Sequence, residues 1–141
     1  MDNLALHLRI IGTLMIGLAL IHAGFPKRFG WAAELKPLSL INRQMMQVHT
    51  FFIALLVALN GLLFVCNAEN LLQPSPLAKS LIIGLLVFWG FRLFFQFFVY
   101  DSALWRGKRF ETSVHILFGL LWVYCLTVFA LLLANQLKIR A

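Results

Sequence analysis

Three histidines, His22, His49 and His115, are the residues of this 141-residue chain best suited to chemistry. Imidazole nitrogens converging from separate helices, with a carboxylate nearby, are how helix bundles hold a transition metal or a haem. Glu111 precedes His115 by four residues, a spacing that sets two side chains on one helical face. His22, His49 and His115 are therefore candidate ligands, with Glu111 as a fourth ligand or as the partner that fixes the His115 tautomer. The expected occupant is a transition metal or a haem b. No H-E-x-x-H, H-x-x-H or C-x-x-C-H pattern accompanies them, so no local motif selects the metal. Histidine is also at ease at a membrane interface, where its ring is amphipathic. The fourth histidine, His7, lies toward the other end of its segment without a second one, which argues against a two-haem site.

Arg92 points to a different chemistry. It lies in Phe88-Trp-Gly-Phe-Arg-Leu-Phe-Phe-Gln-Phe-Phe-Val-Tyr100, about eight residues or roughly 12 Å from the end of an apolar run. A guanidinium at that depth costs at least about 2.5 kcal/mol unless it finds partners. Gln96, one turn on, can share a ligand with it. No acid falls inside the apolar runs; Glu34, Asp101 and Glu111 flank them. Arg92 and Gln96, with Asn42, Asn60, Tyr100 and Asp101 around the same cleft, form a candidate ligand-binding set for an anionic group. The plainer alternative ties Arg92 to helix-end carbonyls or to Asp101. Asn42, His49 and Asn60 recur at seven and eleven residues, one helical face, although Asn60 alone reads as interhelical glue. Ser39, Ser102, Thr112, Ser113 and Cys125 lack any nucleophile-elbow or triad context.

The elements that must position these groups are four apolar stretches at about 4–23, 45–65, 80–100 and 114–133. Each is about 20 residues, enough for a helix to cross a hydrocarbon core of roughly 30 Å. Hydrophobic residues make up 62% of the chain and the mean hydropathy is +0.89, outside the soluble range. The expected fold is all-α: a polytopic integral membrane protein, a single four-helix transmembrane bundle over 1–141. The first stretch lacks the basic start and small-x-small end of a cleaved signal peptide. Ser39 is placed to cap the second helix and Ser75 or Ser80 the third. A short interfacial helix is expected near 31–35. Cys66 and Cys125, at different depths, are expected as free thiols. Gly12, Gly17, Gly84, Gly90 and Gly119, with Ala19-x-x-x-Ala23, read as close-packing sites.

The net charge of +7 is not a nucleic-acid footprint, because the basic residues flank the spans. Loops 24–44 and 101–113 hold Lys27, Arg28, Lys36, Arg43, Arg106, Lys108 and Arg109, seven cations against Arg9, Lys79, Lys138 and Arg140 on the other side. The positive-inside rule then puts these loops in the cytoplasm and both termini outside, in a membrane of the bacterial inner-membrane type. The bilayer and its anionic headgroups are the expected partners, with a homo-oligomer or a membrane partner completing so small a bundle. Two functions follow. The first is a His-lined cleft at the cytoplasmic face, binding a metal or haem for redox or metal-dependent chemistry on an apolar substrate. The alternative is a non-catalytic binding or assembly module that recognises an anionic lipid or a partner transmembrane helix through Arg92 and Gln96. A conduit is disfavoured because few polar residues reach the outer half of the spans. Reporter fusions test the topology: one at Ala141 should read as external and one in the 101–113 loop as cytoplasmic, and the reverse pattern would overturn it.

Overall fold

A computed structural model describes residues 2–138, with side chains for 3–137. Arg140 and the side chain of Lys138, which entered the charge balance, lie outside the described residues. Among the described residues all regular structure is helical: α1 (Asp2–His22), α2 (Phe25–Arg28), α3 (Trp31–Glu34), α4 (Leu40–Leu72), α5 (Pro76–Phe98), a 3₁₀ turn (Ser102–Leu104) and α6 (Arg109–Lys138). The class is all-α, and α1, α4, α5 and α6 are each long and apolar enough to cross a membrane.

Helices α4 and α6, with 33 and 30 residues, outrun the apolar stretches that announce them. At 1.5 Å per residue α4 is about 50 Å long, so its polar first turns continue past the hydrocarbon. Ser39 Oγ accepts the Asn42 amide at 3.5 Å and opens α4. Asn67 (φ −124°, ψ 21°) interrupts the helix close to where its apolar run stops. Asn competes for backbone groups and is a poor helix former, so the break falls on a residue suited to it. Ser75 caps α5 by accepting the Ala78 amide at 3.0 Å, with Pro76 at the first helical position. The short interfacial helix is present as α3, and α2 precedes it. Cys66 and Cys125 are free thiols.

The chain divides into two compact units, Ala5–Ala68 and the remainder. In the first, α1 buries Leu8, Ile11, Met15 and Leu18, and α4 buries Val57, Gly61, Phe64 and Ala68. These three- and four-residue steps trace a single stripe on each helix. The two stripes meet at Gly12 and Gly61. A Cβ on Gly12 would lie 2.6 Å from the Gly61 carbonyl oxygen, and one on Gly61 would lie 2.7 Å from that of Gly12. Only two glycines permit that approach. Gly61 was not among the glycines expected to pack, whereas Gly17, Gly84 and Gly90 face open space and Gly119 meets Phe97.

In the second unit α5 and α6 form an antiparallel pair. Helix α5 buries Ala78, Ile82, Leu85, Trp89 and Gln96, and α6 buries Trp122, Cys125, Phe129, Leu132 and Gln136. The steps alternate between three and four (seven in α5 from 89 to 96, with Arg92 between), a heptad seam. At the α4–α5 end, the buried Gln136 side chain donates to the Leu71 and Gln73 carbonyls (2.8 and 2.9 Å) and accepts the Ser75 amide (3.2 Å). Asn135 donates to the Leu72 carbonyl at 3.4 Å. One amide thereby satisfies orphan groups at the end of α4 and in the turn leading into α5.

The glycine crossing gives a quantitative expectation. Gly12→Ala or Gly61→Ala should destabilise the detergent-solubilised protein by about 1–3 kcal/mol, because the new methyl meets backbone. Gly84→Ala, in open space, should be neutral or stabilise by up to about 1 kcal/mol. Denaturant titration followed by helical circular dichroism measures both.

Candidate functional site

Polar side chains within spans usually satisfy themselves on their own helix. Thr13, Thr50 and Thr127 each donate to the carbonyl four residues back at 2.9 Å, and Asn60 does the same to Leu56 at 2.9 Å. Asn60 therefore bonds within α4 and not across helices. These residues carry no information about a ligand.

The exception is the end of the α5–α6 seam, where three polar residues form a chain. An Arg92 guanidinium N–H donates to Gln96 Oε1 at 3.1 Å. Gln96 Nε2 lies 2.8 Å from His115 Nδ1 and 3.4 Å from the His115 carbonyl oxygen. Arginine can only donate, so the Gln96 oxygen faces it and the NH₂ faces histidine. His115 Nδ1 must then be the acceptor, and the proton of the neutral ring sits on Nε2. Gln96 is only 5% exposed, and both its amide oxygen and its NH₂ group are engaged here.

Aromatic rings hold this chain in place. Trp105 stacks on His115 with centroids 3.9 Å apart and planes 14° from parallel, and Phe97 meets the same ring edge-on at 5.8 Å. Thr112 Oγ1 donates to the Trp105 carbonyl at 2.8 Å, fixing the loop that delivers the indole. Trp89 stacks on Trp122 at 4.8 Å. Arg92 Cζ lies 5.2 Å from the Trp122 ring centroid and 5.7 Å from that of Tyr100. Tyr100 is eight residues beyond Arg92, so the guanidinium extends toward the C-terminal end of α5, the direction in which a basic side chain snorkels.

The site has more donors than acceptors. Arg92 has five N–H groups and uses one on protein. The indole N–H groups of Trp89 and Trp122 are buried and have no acceptor. Asp101 does not neutralise the guanidinium; its carboxylate accepts the Ala103 amide at 2.8 Å and caps the 3₁₀ turn.

His22 is half-buried at the end of α1, with Nδ1 2.8 Å from the Leu18 carbonyl and its ring 4.5 Å from Phe25. His49 and Asn42 are exposed on α4, and Glu111 is half-buried and engaged at the start of α6. Among the described residues no group of three or more His, Cys, Asp or Glu side chains could hold a metal ion. Gln96, not Glu111, sets the His115 tautomer, and that tautomer offers no free ring lone pair to a metal. Trp105 and Gln136 were not singled out as site-forming residues by the sequence, whereas Trp122, with Trp89, was readable as an aromatic wall of the cleft. The heptad steps 115-122-129-136 on α6 are the signal that links three of the seam positions.

Comparison with family models, with curated proteins and with solved structures found no match. The reading of this site rests on its geometry alone.

Removing the central amide tests whether the chain is structural glue for the seam. Gln96→Leu leaves His115 Nδ1 without its donor and Arg92 without an acceptor, and should cost about 2 kcal/mol or more. Gln44→Leu, an exposed amide on α4, should change stability by less than about 0.5 kcal/mol. Indole fluorescence during detergent unfolding reports both, since Trp105 and Trp122 line the site.

Proposed function

We propose that this chain is a non-catalytic membrane module that binds an anionic lipid headgroup through Arg92, with Gln96 and His115 orienting the guanidinium. The observation that carries this reading is the excess of donors at the α5–α6 seam. A guanidinium lies within a span over the face of Trp122, with one protein acceptor and no carboxylate among the described residues. Within a bilayer the abundant partner for such a group is a lipid phosphate. Arg92 lies six residues, about 9 Å, from the end of α5. Its reach toward Tyr100 brings the charge closer to headgroup level. Fork geometry suits phosphate oxygens, which accept two parallel N–H bonds from one arginine. The exposed Phe91, Phe94, Phe95 and Phe98 on the same helix are surfaces for acyl chains.

A redox or metal-dependent function would need ligands brought together, and no such group is found among the described residues. The orientation of loops and termini follows the charge count, and we propose that the Arg92 end of α5 faces the cytoplasm, the leaflet side that attracts basic segments.

Native mass spectrometry of the protein released from phosphatidylglycerol-containing nanodiscs tests the proposal. Wild type should retain phosphatidylglycerol, and Arg92→Leu should lower that retention by about tenfold, as expected for one charge-assisted contact worth about 1.5–3 kcal/mol. Equal retention by a folded Arg92→Leu protein would overturn the assignment.

A further inference from the structure

The first unit carries a separate feature that the Arg92 reading does not use. Two adjoining cavities of about 390 and 480 Å³ lie along α4, sharing Pro26, Trp31 and Gln47 as lining residues. Both fall within the size range of small-molecule sites, about 300–1,000 Å³. The first is walled by apolar groups of α1 and α4, among them Ala19, Ala23, Phe51 and Ala54. The second is bordered by Lys36 and Arg43. From Ala54 to Arg43 the lining descends eleven residues of α4, about 16 Å. The character of the wall changes along that length from apolar to amide to cationic. No carboxylate lines either cavity, and neither Lys36 nor Arg43 has a protein partner among the described residues. Between the two ends His22 lines the apolar chamber, and its bond to the Leu18 carbonyl commits Nδ1 as donor. In the neutral ring Nε2 is then an acceptor.

We propose that this groove is a phospholipid site, with an anionic phosphate held by Arg43 and Lys36 and an acyl chain lying between α1 and α4. An amphiphile is the occupant whose own gradient, tail to charge, matches the lining. Charge complementarity selects an anionic headgroup over a zwitterionic one, because a choline would bring a third cation to two unneutralised ones. Phosphatidylglycerol, which carries one net negative charge on its phosphate and no headgroup cation, is the probe of choice.

Trp31 lines both cavities and reports occupancy. Its fluorescence is isolated as the difference between wild type and Trp31→Phe, each reconstituted in nanodiscs of phosphatidylcholine with brominated phosphatidylglycerol or brominated phosphatidylcholine. The Trp31 component should be quenched by brominated phosphatidylglycerol with an apparent relative association several-fold above that for phosphatidylcholine. Lys36→Gln with Arg43→Gln should bring that ratio to about one, and Ala54→Phe should reduce quenching by both lipids by filling the slot. Arg92→Leu should leave the Trp31 signal unchanged, which separates this site from the one on α5. A wild-type ratio of one, or a ratio untouched in the folded Lys36→Gln, Arg43→Gln protein, overturns the proposal.

Discussion

With lipid as the surrounding medium, a polar group in a span finds its partner inside the protein or remains unpaired at a cost of several kcal/mol. The described polar residues that are fully buried are two glutamines, Gln96 and Gln136. Each sits at one end of the α5–α6 seam, and each carries the hydrogen bonds that its end requires. Glutamine suits the task because it donates and accepts without charge, so it satisfies orphan groups of both kinds and adds no ion to desolvate. The apolar seam between them, with the Trp89–Trp122 stack at its centre, can close only because both ends are satisfied in this way.

The two ends differ in outcome. At Gln136 the partners are backbone carbonyls and an amide, fixed by the helix ends, and donors match acceptors. At Gln96 the partners are a guanidinium and an imidazole. The amide accepts one hydrogen bond from arginine and donates one to histidine, which aligns the three groups and leaves the outer donors of Arg92 unspent. Alignment and donor excess arise from the same geometry. A glutamate in place of Gln96 would neutralise Arg92 and remove its attraction for an external anion. The neutral amide orients the cation and leaves its charge in place.

Much of this was legible in the residues. Twenty-residue apolar runs fixed four long helices, Ser39 and Ser75 were readable as caps, and the i, i+4 spacing of Arg92 and Gln96 marked them as one face. The rotation of each helix about its own axis was not. A shared membrane level follows from topology, but a shared point requires each helix to have the right rotation, and rotation depends on packing stripes that a histidine count does not contain. His115 lies on the α6 stripe with Trp122 and Phe129 and so meets Gln96. His49 lies off the α4 stripe of Val57, Gly61 and Phe64 and is exposed. Gly61 was overlooked for a related reason: its role depends on Gly12 opposite it, a pairing that no single segment reveals.

The distribution of charge links the two units chemically. Twelve basic residues against five acidic ones are more than topology needs. Arg92, Lys36 and Arg43 are three of those cations, without a carboxylate partner and beside apolar or aromatic walls. In a soluble protein, water would screen them and little would follow. Beside hydrocarbon, screening is weak, and an unpaired cation retains a strong preference for a phosphate over a neutral neighbour. Placing an acid beside any of the three would neutralise it internally and strengthen the isolated chain. Such a residue would also cancel the cation's attraction for an external anion, so an internally neutral version of this fold would gain stability at the expense of the lipid binding proposed for it.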